Sequence, residues 1–119
     1  TPDRLAAYDD VRDGYYAAAV QSGSSFVPAG EVLRVLLDQG TLEFAPFGGD
    51  RFHPSPVGTV AMALTLVGTV FDREVSGLPL ELPAGSREGI GITIQQSTAD
   101  FLYPLTDSVV AAWRDGPGG

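Results

Sequence analysis

Asp50-Arg51-Phe52-His53-Pro54-Ser55-Pro56-Val57-Gly58 joins a charged turn to the start of the best-defined helix in the chain. Ser55 is a natural N-cap and Pro56 a natural first helical residue, so a helix is predicted from that point to about Phe71. Val57, Val60, Ala61, Leu64, Val67 and Phe71 form its helical stripe, and Met62, Leu66 and Val70 make the other flank apolar as well. A helix that is apolar on both flanks needs cover on both. Just ahead of it, Asp50-x-x-His53 sets a carboxylate beside the only histidine of the protein. Serine hydrolases need that pair: the imidazole accepts a proton from a nucleophile, and the carboxylate fixes its tautomer and steadies its charge.

Outward from this segment the pattern is mostly helical. A first helix is expected from about Pro2 to Val20, with Thr1 as its cap and Leu5, Tyr8, Val11, Tyr15 and Ala18 as its apolar face. Ser22 to Ser25 reads as a loop and Phe26-Val27-Pro28-Ala29 as a short strand, with Pro28 confined to its edge or end. A second helix is predicted over Glu31–Gln39, with Val32, Leu33, Leu36 and Leu37 inward and Gly40 as its stop. Thr41–Phe44 is expected to be extended. Residues 73–91 are rich in Gly, Pro and Glu and read as a long surface connection. Ile90, Ile92 and Ile94 alternate as in a strand. The last helix is predicted over Ser97–Arg114, with Leu102, Leu105, Val109 and Trp113 inward and Pro104 as a kink or start, and 116–119 as a frayed tail. Helix–strand–helix order implies a parallel sheet covered by helices, yet a lone strand leaves its backbone groups unpaired. The expectation is therefore part of a layered α/β domain, mostly helical here with one or two short parallel strands.

The 119 residues allow one domain, and the 44% apolar content excludes general disorder. Seven arginines face fifteen acidic residues for a net charge of −8. The arginines are scattered singly, so no basic stripe exists and nucleic-acid binding is not expected. Cysteine is absent, which removes disulfides and thiolate chemistry, and a single histidine makes a classical zinc site improbable. No metal or cofactor is implied. As a helix, Val57–Phe71 would span about 23 Å, short of the roughly 30 Å of a hydrocarbon core, so no membrane span is expected. The chain opens at Thr1 rather than Met, without a basic and apolar leader, and is read as an incomplete product.

At Asp50-x-x-His53-Pro54-Ser55 the chain resembles the SGNH, or GDSL, hydrolases, a family of serine esterases and acyl hydrolases. Leu5–Ala19 resembles the family's Tyr- and Ala-spaced helix. Val27-Pro28-Ala29-Gly30-Glu31 is similar to its strand with a Val-Pro-x-Gly ending, and Pro54-Ser55-Pro56-Val57-Gly58 to the segment after its catalytic histidine. The likeness covers residues 5–72 well and the rest weakly. It implies a flavodoxin-like α/β/α sandwich, with His53 as general base and Asp50 as its orienting carboxylate. The family's nucleophile lies in a Gly-Asp-Ser motif, and its oxyanion hole uses a glycine and an asparagine from further blocks. This chain has neither that motif nor any asparagine. The resemblance thus implies the C-terminal portion of such a hydrolase, acting on an acyl ester once the N-terminal half supplies the serine.

Plainer readings stand beside these. His53 could be a solvent-facing or capping histidine, and Asp50 a turn residue after Gly48-Gly49. Ser22, Ser24 and Ser25 lie in a helix-to-strand loop away from the dyad, and Ser55 is better employed as a cap, so no local serine is expected to complete a triad. Phe52, Tyr15, Tyr16 and Trp113 read as packing residues, and Glu31 as a charge suited to a helix start. Pro2 and an immediate helix leave Thr1 as a cap rather than a nucleophile. The rival to the hydrolase is a small non-catalytic module that binds a partner through the apolar helix 57–71.

Overall fold

Ser55 starts the central helix as its side chain requires: Gly58 N–H donates to Ser55 Oγ at 3.0 Å, and Pro56 opens the first turn. The computed structural model describes residues 2–79, 81–82 and 92–114. Within them are four helices, α1 (Pro2–Ser22), α2 (Ala29–Gln39), α3 (Pro56–Val70) and α4 (Gln96–Arg114). The only strands among the described residues are β1 (Glu81–Leu82) and β2 (Ile92–Thr93), paired antiparallel with Glu81 opposite Thr93. The cap of Thr1, the place of Ile90 in a strand, most of 80–91 and the tail 116–119 lie outside the described residues.

This overturns the expected α/β sandwich. Among the described residues there is no parallel strand and no sheet beyond one two-residue antiparallel pair. The reason is visible at Pro28. It has no N–H to give a ladder, and instead of ending a strand it directly precedes α2, which starts two residues earlier than expected. Phe26 is drawn out of any strand pairing by an aromatic cluster, with ring centroids 5.5 Å from Tyr16 and 5.3 Å from Trp113. Thr41–Phe44, expected to be extended, forms turns.

The helices bury their faces on one another rather than on a sheet. Val32 and Leu36 of α2, Val60, Ala61 and Leu64 of α3, and Ala99, Leu102 and Tyr103 of α4 form one buried cluster with Val75 and Ile94. Leu36 and Leu102 are fully enclosed. Gly68 is buried where α3 passes α4, and a Cβ there would make only ordinary contact, 3.4 Å from Val110 Cγ2. Thr65 and Thr106 turn their hydroxyls back onto the Ala61 and Leu102 carbonyls, which satisfies them inside the core. Pro104 sits inside α4 without ending it; its exposed position tolerates the lost N–H.

The inward faces differ from those expected at particular residues. Leu37 and Phe71 are exposed, as are Leu66 and Val70 on the outer flank of α3. Leu105 and Val109 only edge the core of α4, which is centred on Ala99, Leu102, Thr106 and Val110. The largest change is in α1. Val11, Tyr15 and Ala18 face solvent, and the inward side is Tyr8, Arg12, Tyr16 and Ala19. That side is held by polar contacts. Glu31 in the first turn of α2 accepts from Tyr8 Oη at 2.9 Å and from Arg12 at 3.2 Å, while Arg34 reaches Asp9 at 2.9 Å. Burial, and donation to the Glu31 carboxylate, hold the Tyr8 phenol well above its ordinary pKa.

The start of the 73–91 connection is anchored rather than loose. Val75 is fully buried, and Asp107 of α4 accepts from Val75 N–H at 2.6 Å, Ser76 N–H at 3.1 Å and Ser76 Oγ at 2.5 Å. No helix among the described residues is long and apolar enough to cross a membrane.

Leu36→Ala and Leu102→Ala are expected to cost about 2–5 kcal/mol each in urea denaturation, as buried leucines do. Leu66→Ser on the outer flank is expected to stay within about 0.5 kcal/mol of the parent protein.

Candidate active site

The charged turn is built by its own backbone. Gly48 N–H donates to the His53 carbonyl at 2.9 Å, Arg51 N–H to Gly48 at 2.9 Å, and Phe47 bridges Pro54, so residues 47–54 close into a compact loop. Arg51 takes a left-handed conformation, φ 58°, which a residue with a Cβ adopts only when its surroundings hold it. What holds it is Asp50, whose Oδ1 accepts from Phe52 N–H at 2.9 Å and His53 N–H at 3.0 Å. This is an Asx-type turn, the motif by which Asp organises the backbone that follows it.

The second carboxylate oxygen is thereby aimed at the imidazole. Asp50 Oδ2 lies 2.6 Å from His53 Nδ1. A contact of that length with a carboxylate selects the tautomer protonated at Nδ1 and leaves Nε2 as the acceptor. Nε2 has no hydrogen-bond partner among the described residues, and the His53 side chain is 76% exposed. Phe52 is exposed too and stands edge-on to the imidazole, with centroids 5.1 Å apart. It steadies the ring rather than anchoring the core. The hydrogen bond from His53, and those from the Phe52 and His53 N–H groups, hold the Asp50 carboxyl below its ordinary pKa.

The loop is riveted to α3. Ser55 N–H donates to the Pro46 carbonyl at 3.0 Å, and Ser55 Oγ donates to the Ala45 carbonyl at 2.5 Å while capping the helix. Gly58 makes this approach possible: a Cβ built there would sit 2.1 Å from the Pro46 oxygen. The "Ser-x-x-Gly" spacing after His53 therefore has a mechanical reason, which sequence reading registered only as a pattern.

The other residues singled out in sequence go elsewhere. Ser55 is committed on both sides as donor and acceptor. Ser22 donates to Ser24 Oγ at 2.9 Å at the far end of α1. No serine among the described residues hydrogen-bonds His53. Glu31 is the ionic link between α1 and α2, a role the sequence did not disclose because its partners lie 19 and 23 residues away. Tyr16 and Trp113 pack as expected at a centroid distance of 5.8 Å, whereas Tyr15 faces solvent.

No family model matches the chain, and neither a curated protein nor a solved structure does.

Ser55→Ala is expected to cost about 1 kcal/mol through the lost cap. Gly58→Ala should cost about 1–3 kcal/mol, because the clashing atom is backbone and the loop must shift; thermal melts of both variants check this. In carboxyl-detected NMR, Asp50 is expected to titrate below the usual carboxylate range. Its hold on the turn is then fully present above the unfolded-state pKa of about 3.9 and is lost as pH falls through the lower folded value.

Proposed function

We propose that this chain supplies the histidine base and the aspartate of a Ser-His-Asp acyl hydrolase of the SGNH type, acting on an acyl ester, with the nucleophilic serine delivered by a segment outside these 119 residues. The observation that carries the reading is the 2.6 Å contact from Asp50 Oδ2 to His53 Nδ1, with Nε2 unpartnered among the described residues and open to solvent. A hydroxyl brought to Nε2 would find a base of fixed tautomer on a turn that needs no rearrangement. In the reaction the serine Oγ attacks the ester carbonyl while its proton passes to His53 Nε2. Asp50 stabilises the imidazolium through Nδ1–H, and His53 then returns the proton to the leaving alkoxide. Hydrolysis of the acyl-enzyme by water repeats the same transfer. Donors for the oxyanion would come with the serine, because the chain has no asparagine.

A second reading is a small non-catalytic module that binds through the apolar helix 57–71. The exposure of Leu66 and Val70 on the outer flank of α3 favours it. The closed core formed by α2, α3 and α4 is compatible with both readings.

Mixing this chain with a separately expressed segment carrying a Gly-Asp-Ser motif is expected to produce hydrolysis of para-nitrophenyl acetate that neither piece shows alone. His53→Ala should lower that activity by about 10²–10⁴-fold, the usual weight of a general base, and Asp50→Asn should lower it as well. Full activity in His53→Ala would sink the dyad reading. If the pieces do not associate, and this chain melts cooperatively alone, the binding module becomes the better account.

A further inference from the structure

We infer that the cleft where the C-terminal ends of α1, α3 and α4 meet is a binding site for a small organic amine with an apolar body. The cleft has a volume of about 630 Å³ and is lined by residues of all three helix ends, within the range of about 300–1,000 Å³ typical of small-molecule sites. It is remote from the dyad along the chain, since His53 precedes α3 and the cleft lies at that helix's other end. The inference is independent of the hydrolase reading.

Three features define the ligand. Tyr16, Phe26 and Trp113 pack together at centroid distances of 5.3–5.8 Å and give the cleft an aromatic wall for a flat or aliphatic body. Thr69 also lines it, and its Oγ1 is buried without a hydrogen-bond partner among the described residues. A buried orphan hydroxyl costs free energy that a partner would recover, and a ligand reaching it from the cleft is such a partner. Finally, the cleft lies at the C-terminal ends of helices. The Thr69 and Val70 carbonyls at the end of α3 receive no backbone N–H among the described residues, and neither α1 nor α3 has a basic residue in its last turn. Helix C-termini favour positive charge.

The cations already present are engaged. Arg114 pairs with Asp72 at 2.9 Å on the rim. Arg12 lies 5.4 Å over the Trp113 ring and is tied to Asp9, Asp13 and Glu31 at 3.0–3.2 Å. The net charge of −8 on the whole chain favours the approach of a cation over that of an anion.

Trp113 is the only tryptophan, so its fluorescence reports occupancy directly. Titration of the full chain with 2-phenylethylamine should give a saturable change, and the neutral 2-phenylethanol should bind about fivefold more weakly, the difference one screened charge contact makes. Thr69→Val keeps the shape and removes the orphan hydroxyl. It should weaken amine binding by about threefold to tenfold while leaving the melting temperature unchanged or higher. A purely structural threonine would not separate affinity from stability in that way. Absence of a saturable change, equal binding of amine and alcohol, or undiminished affinity in Thr69→Val would each overturn the inference.

Discussion

The close approach of the Pro46 carbonyl to Gly58 is the constraint on which the rest of this molecule is built. It allows Ser55 to bind Ala45 and Pro46 on one side and the helix on the other. The 46–55 loop then has one position relative to α3. Because α3 supplies Val60, Ala61 and Leu64 to the core, that position is fixed relative to α2 and α4 as well. Asp50 and His53 are thus surface residues carried on a rigid mount, and their mutual geometry does not depend on burial. Side-chain pairs are often aligned by the packing around them; here two backbone N–H bonds to one carboxylate oxygen align the other oxygen.

How much of this could be read in the sequence follows from the range of the interactions involved. Ser55, Pro56 and Gly40 act on their immediate neighbours, and the helix boundaries they imply match α3 and α2 to within one or two residues. The Asp50–His53 contact was legible for the same reason, being closed within three residues. The layered sheet was not there. Phe26-Val27 has strand-like composition, but an aromatic cluster with Tyr16 and Trp113 claims Phe26, and a sequence pattern carries no trace of a partner 87 positions away.

The face of α1 shows a different failure. Its apolar spacing is real, yet Val11 and Tyr15 point outward because the side chains that find partners are Tyr8 and Arg12, through Glu31. Hydrophobic periodicity identifies which side could be buried; the location of a complementary carboxylate decides which side is. The same holds for Asp107, a surface-patterned acid whose capture of Val75 and Ser76 organises the first part of a segment that composition marks as loose.

That polar attachment of α1 gives the protein an uneven resistance to opening. The α2–α4 core is held by enclosed leucines, which ions in solution barely affect, whereas among the described side chains α1 is joined to α2 through charged contacts and to α4 through an aromatic cluster and the Arg12–Trp113 contact. Salt screens such contacts within about a Debye length of 8–10 Å at ordinary ionic strength. The amides of α1 should therefore exchange with solvent deuterium as a separate, ionic-strength-sensitive unit, while those of α3 and α4 exchange only when the whole core gives way.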